Sequence, residues 1–332
     1  MRNFITGGRG FIGAQLAVEL ASRGEEVVLL NRPGSRILDF LKKESKIRVC
    51  EGDILNVDSL LAGCNDCDRV FHLAALAKPW SKNKNDFYEV NVTGTLNVLE
   101  AARQNRIKNV VITSSAGTFG PQNGYSLVHE AKPQHRPFFT EYERTKALSV
   151  KQALEKYGSD MKLVFVSPTR VFGPGALSVS NAVTKLIIQY AKGNFRFLPG
   201  NGNSMGNYVF IDDVVAGHIV ASEGGKHGEN YILGGSNLTY RAFFDAVGKV
   251  TGKKYNMFNV PVFVIVGVSY LLKWTADLTG AAPKITPGFA KKYTHDWGVD
   301  LSKARKHLNY SVTPIDRAIQ KTVNYARKEG LL

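Results

Sequence analysis

Eight residues near the start of the chain, "TGGRGFIG" (6–13), restrict the possible folds more than any other stretch. They satisfy two glycine spacings at once, Gly7-x-x-Gly10-x-x-Gly13 and Gly8-x-Gly10-x-x-Gly13. A short apolar run at 3–6 precedes them. In "FIGAQLAVELASR" (11–23), which follows, apolar residues recur at helical spacing until Gly24, and "EVVLL" (26–30) then reads as a buried strand. Strand, glycine turn, helix and strand within about 30 residues form the opening unit of a dinucleotide-binding sheet. Glycines there let the backbone approach a pyrophosphate at a helix N-terminus.

The alternation continues through "KIRVCEGD", "DRVFHLAA", "VNVTGTLNVLEAARQ", "IKNVVITSS", a helix over 140–157 and "MKLVFVSPT". Short apolar strands alternating with helices predict an α/β fold with a doubly wound parallel sheet, Rossmann-like. After Pro168 turn-rich segments such as "FLPGNGNS" and "EGGKHGEN" break the rhythm, which predicts a smaller C-terminal substrate lobe. The expected division is 1–170 for the dinucleotide-binding domain, with 207–235 returning to it, and 171–206 plus 236–332 for the lobe.

The formal charge of +15 favours anionic partners such as nucleotide cofactors, and 283–332 carries ten Lys/Arg against four Asp/Glu. No Lys/Arg run and no nucleic-acid module signature occurs, so no nucleic-acid partner is expected. Three cysteines, Cys50, Cys64 and Cys67, are too few for a disulfide framework and suit a reducing compartment. "CNDC" has metal or redox spacing but no second Cys/His pair, so no metal site is expected. The chain runs straight into the glycine turn, leaving no room for a signal segment, and a cytoplasmic location follows.

At the end of the second strand an NAD site usually holds an acid for the ribose hydroxyls. Here stand Asn31 and Arg32, followed by Arg36. An arginine suits a 2′-phosphate, which predicts NADP(H) over NAD(H); as a plain solvated charge Arg32 would leave NAD(H) in play.

In "FFTEYERTKA" (138–147), Thr140 and Glu143 have the spacing of a capping box, which puts Tyr142 and Lys146 on one face of a helix start. The strand "KNVVIT" delivers Ser114 and Ser115 to the same carboxyl rim of the sheet. A hydroxyl, a phenol and an ammonium can meet there, with the ammonium expected to lower the phenol pKa.

With "GDI" (52–54), "HLAA" (72–75), "NVTGT" (91–95), "TSSAGTFG" (113–120), "YERTK" (142–146) and "SPTRVFGPG" (167–175), the chain resembles the extended short-chain dehydrogenase/reductases over roughly 1–220. The resemblance implies a catalytic triad of Ser115, Tyr142 and Lys146, with Ser114 as the alternative serine. It implies cofactor contacts at Gly7, Gly10, Phe11, Ile12, Gly13, Asp53, Ile54, Leu73, Ala74, Ala75, Tyr142, Lys146, Pro168 and Val171, beside Arg32 and Arg36. Members are commonly homodimers.

Departures from the family pattern narrow the reaction. Dehydratases usually place an Asp-Glu pair where Ala116 and Gly117 stand. Many nucleotide-sugar epimerases grip the diphosphate with an Arg-Asp where Gly206 and Asn207 stand. What remains is similar to dihydroflavonol reductases and 3β-hydroxysteroid dehydrogenases, whose substrates are small apolar ketones or alcohols. The expected function is an NADP(H)-dependent oxidoreductase of an apolar carbonyl/alcohol pair. The alternatives are a nucleotide-sugar epimerase with tightly bound NAD, and a cofactor-sensing binding protein.

Residues 255–272 carry no charge over 18 positions, which reaches the lower limit for a membrane span. Pro261 suits a helix start and Gly280 an end, while Ser269, Lys273 and Asp277 form a polar stripe. The leading expectation is a packed helix lining an apolar pocket, with a peripheral membrane contact or a true span as alternatives.

Overall fold

The structure, a computed structural model, describes residues 1–131 and 137–332. Its strands are β1 (Arg2–Thr6), β2 (Glu26–Asn31), β3 (Ile47–Glu51), β4 (Arg69–His72), β5 (Asn109–Thr113), β6 (Lys162–Pro168), β7 (Arg170–Phe172), β8 (Phe197–Pro199), β9 (Met205–Phe210), β10 (Asn230–Leu233), β11 (Ser236–Thr239) and β12 (Phe258–Val260). Seven of them form a parallel sheet in the order β10-β6-β5-β4-β1-β2-β3. The order reverses beside β1, so a crevice opens between the carboxyl ends of β1 and β4.

Both faces of this sheet are buried, which is why its strands read as uniformly apolar. Successive side chains alternate between two cores: Ile5, Leu29, Phe71, Val111 and Val164 join one, whereas Phe4, Val28, Val70, Val110 and Phe165 join the other. The helix Phe11–Ser22 packs on the first face, and Val57–Gly63 and Gly94–Gln104 on the second.

Beyond Pro168 the chain builds two small sheets, β11-β9-β7 and β12-β8, but β10 returns to extend the main sheet beside β6. The aromatic residues of the lobe continue the first of these cores, and among them Tyr208 stacks on Phe243 with ring centres 4.0 Å apart.

One expectation fails here. The apolar helix does form, as Val262–Thr279 between Pro261 and the left-handed Gly280, but it is mostly exposed and lines neither of the two cavities described below. Its buried side chains are the small Ser269 and Ala276, and Phe263, Val264, Val268, Tyr270, Leu271, Trp274 and Leu278 point outward. Small side chains allow close approach on the inner face, so the large apolar ones are left outside, the reverse of an ordinary surface helix.

Candidate active site

The cofactor end is built from backbone packed on backbone. Gly7 adopts φ +75°, and a Cβ there would stand 2.6 Å from the Ala74 amide nitrogen. At Gly13 a Cβ would stand 2.4 Å from the Gly7 carbonyl oxygen. The turn therefore lies directly against the exit of β4, at Leu73, Ala74 and Ala75, and tolerates no side chain at either glycine. The helix that follows starts at Gly10 with no side-chain cap, which leaves its first N–H groups available to an anion. Phe11 is buried and Ile12 half-buried behind them.

At the end of β2, Asn31 turns its amide back to hold its own loop, donating to the carbonyls of Arg32 (3.2 Å) and Ser35 (2.9 Å). Its Oδ1 is buried without a partner. Arg32 is exposed, and Arg36 is tied to Asp39 at 2.9 Å in a surface ion pair. A second basic group was not legible in the spacing: Arg9 lines a small cleft with Gly8, Asn31 and Ile37. Asp53 caps the amide of Leu55 at 2.9 Å, and Ile54 packs against Gly94.

The catalytic rim forms where β5 ends. Ser115 caps a short turn, its Oγ accepting from the Gly117 amide at 3.3 Å, and its hydroxyl lies near enough to the phenol of Tyr142 to influence its titration. Ser114 is buried instead, and its Oγ has no partner among the described residues. Thr140 does cap the Glu141–Tyr157 helix, accepting from the Glu143 amide at 3.3 Å. The capping box closes on one side only, because the Glu143 carboxylate is 2% exposed and pairs with Lys292. It also fills the space beside Gly117, where a Cβ would meet Glu143 Oε1 at 2.7 Å.

Lys146 is 1% exposed, and its ammonium has no hydrogen-bond partner among the described residues. Burial pushes its pKa down to about 8. Beside it His72 is locked between Thr6 Oγ1 (2.7 Å) and Thr95 Oγ1 (2.9 Å), and burial, with Lys146 second, holds its pKa at about 3. Asn91 was not singled out by the sequence. It accepts from the Leu76 amide at 2.7 Å and donates to Thr145 Oγ1 at 3.0 Å, tying the loop after β4 to the helix of Tyr142 and Lys146.

The expected electrostatics are corrected in one respect. Burial, then the neighbouring Glu143, pushes Tyr142 up to about 12, and the hydrogen bond from Ser115 opposes this.

A cavity of about 110 Å³ opens at Ser115, lined also by Pro168, Arg170, Asn207, Lys292 and Trp297. Val171 is not among them: β7 pairs with β9 at this point and turns its side chain into the core. Arg170 and Lys292 were not legible as site residues, because they approach the serine from β7 and from 120 residues further on. The Arg170 guanidinium lies over the rings of Tyr240 (5.0 Å) and Tyr208 (5.5 Å).

The residues fit a nicotinamide dinucleotide on two observations: the side-chain-free cradle at Gly7 and Gly13, and a buried ammonium with nothing to bind. Such a cofactor would lie along Gly7–Gly13 and Leu73–Ala75, with Lys146 beneath its ribose.

The chain is similar to known proteins over nearly its whole length. The sequence profile of the NAD dependent epimerase/dehydratase family matches residues 3–234. Sterol demethylase protein B of Methylococcus capsulatus is 29% identical over 341 residues, covering 100% of both chains. The mouse sterol-4-alpha-carboxylate 3-dehydrogenase, decarboxylating, is 26% identical and covers 96% of this chain and 89% of its own. Among solved structures, UDP-glucose 4-epimerase of Thermotoga maritima superposes with a TM-score of 0.80 at 21% identity, covering 99% of each chain, a likeness of fold.

Proposed function

Because the chain belongs to the NAD dependent epimerase/dehydratase family, the extended short-chain NAD(P)-dependent oxidoreductases, we propose that it interconverts an apolar ring ketone and its secondary alcohol. The observation that carries this reading is the meeting of Ser115 and the Tyr142 phenol beside the cavity, with Lys146, buried and without a hydrogen-bond partner among the described residues, one helical turn away. Relatives named for sterol demethylation and for the dehydrogenation of a sterol-4-alpha-carboxylate support the ring-shaped substrate.

The chemistry that the bound cofactor supplies is hydride, delivered to or taken from the substrate carbon. Ser115 donates a hydrogen bond to the substrate oxygen and fixes it within reach of Tyr142. Tyr142, held protonated near neutral pH by a pKa of about 12, gives its proton to that oxygen in the reduction direction. Lys146 is the cation that offsets the negative charge left on the phenol, an effect that draws the phenol pKa back from the value set by burial. Asn91 keeps the helix and the 74–76 loop in register throughout.

NADP(H) is the cofactor this site favours, because the end of β2 carries Asn31 rather than an acid, with Arg9 and Arg32 beside it. Calorimetric titration of the cofactor-free protein is expected to show NADP⁺ binding at least about tenfold tighter than NAD⁺, a difference of ~1.4 kcal/mol. The preference should shrink in Arg32→Ala and disappear when Arg9→Ala is added. Equal affinity for the two cofactors in the unaltered protein would overturn the assignment.

A further inference from the structure

Two segments far apart in the chain are fastened together beside Ser115. Residues 286–297 pack on the start of the Glu141–Tyr157 helix at three points. Gly288 lies against the Phe139 carbonyl oxygen, where a Cβ would stand 2.0 Å away. Trp297 meets the Phe139 ring edge-on, with centres 5.7 Å apart. Lys292 reaches across to the Glu143 carboxylate, 149 positions away. Lys292 is itself held in place: its carbonyl accepts from the Trp297 indole at 3.0 Å, and its ammonium lies 4.4 Å from the centre of that ring.

The third contact is the costly one. A glutamate at the third position of a helix ordinarily turns back to the amide of its cap, at the surface. Here the Glu143 carboxylate turns inward, is 2% exposed, and keeps Oε2 without a hydrogen-bond partner among the described residues. A buried carboxylate with one oxygen open works against folding, so a scaffold alone gives no reason for it.

Its surroundings supply the reason. Glu143 follows Tyr142 directly and fills the space beside Gly117, which borders the cavity together with Ser115 and Lys292. A fixed negative charge there opposes a second one on the phenol. Burial first, and then this charge, keep the proton on Tyr142. Lys292 in turn favours the ionised form of the carboxylate where burial alone would favour the neutral one.

Other charged groups nearby are differently engaged. On the same helix Lys146 is the opposing cation, and Glu141 pairs with Arg144 on the outer face. Beneath Lys146, His72 is neutral. Arg170 lies over Tyr208 and Tyr240, and His295 meets Phe139 edge-on. Asp86, Tyr88 and Glu89 stand on 85–93, where Ser81 and Asn85 bind the two acids. Glu100 pairs with Arg103 beside Tyr157, at the far end of the helix.

We propose that Glu143, kept ionised by Lys292, is a positioning residue that acts through Tyr142: it holds the phenol in its proton-bearing form, so the resting site is ready for reduction and oxidation needs raised pH. This rests on the reductase reading above and adds its preferred direction.

Ionisation of Tyr142 can be read without a substrate, as the difference in phenolate absorbance between each protein and its own Tyr142→Phe form across pH, with circular dichroism marking where the fold is lost. Glu143→Gln, which keeps size and hydrogen bonding but not charge, is expected to ionise Tyr142 at least about one pH unit below the parent. Glu143→Asp should restore at least about half of that gap. Glu143→Gln/Lys292→Met, which leaves no unpaired charge, should match Glu143→Gln and replaces it if the single variant fails to fold. Ionisation no lower than in the parent, or not before the fold is lost, overturns the proposal. So does an equal drop in Glu143→Asp, since lost packing rather than lost charge would then be the cause. Kinetics test the reductase reading separately: the pH at which oxidation of cyclohexanol by NADP⁺ is half-maximal should fall by the same interval in Glu143→Gln, and an unmoved profile overturns the proposal. Absence of cyclohexanol oxidation by the parent tells against the reductase reading, while the titration still decides the role of Glu143.

Discussion

Tyr142→Phe is expected to lower kcat for ketone reduction by about 10³-fold while leaving the affinity for NADP⁺ within about threefold. The substitution removes one oxygen, the phenolic atom near Ser115 that carries the proton, and leaves the ring in place. Stopped-flow kinetics with NADPH, alongside calorimetry, separates the two quantities. Loss of cofactor binding together with turnover would show that the phenol holds the site together rather than moving a proton.

Lys146→Met should have two opposite effects. The buried ammonium of Lys146 lacks a hydrogen-bond partner, so in the cofactor-free protein it is a cost that a methionine of similar length removes. The melting temperature of the cofactor-free variant is therefore expected to rise by several degrees, while turnover falls by at least about 10²-fold and NADP⁺ affinity weakens. The pH dependence gives the sign. The folded pKa is about 8 against an ordinary 10.5, so between those values the unfolded chain binds the extra proton and stability rises with pH. Below about 8 both states are protonated and the full penalty applies. The difference in stability between variant and parent should thus shrink as pH rises from 8 to 10.5, as read by urea titration at each pH.

The sheet was legible because it depends on local rules. Uniformly apolar strands such as 162–168 and the glycine spacing at 7, 10 and 13 report two-sided burial and a turn without side chains. Tyr142 and Lys146 were legible because helical spacing fixes their relative position. Arg170 and Lys292 were not, since their convergence on Ser115 comes from the pairing of β7 with β9 and from a chain return near 290. The direction in which the Val262–Thr279 helix faces was also hidden. Length and apolarity specify such a helix, but inner contacts at Ser269 and Ala276 decide which side meets the protein. The capping box shows the same limit: Thr140 behaved locally, whereas Glu143 was drawn away by a lysine 149 positions along the chain.

The most direct test of the oxidoreductase reading is the fate of a labelled hydride. NADPH deuterated at the nicotinamide C4 would be incubated with a panel of apolar ring ketones, carboxylated and neutral, and separately with UDP-sugars. The proposed function predicts one deuterium at the carbinol carbon of a reduced ketone, with one cofactor consumed per alcohol formed. Interconversion of a UDP-sugar with no net consumption of cofactor, and no label in any alcohol, would contradict it and make this chain an epimerase.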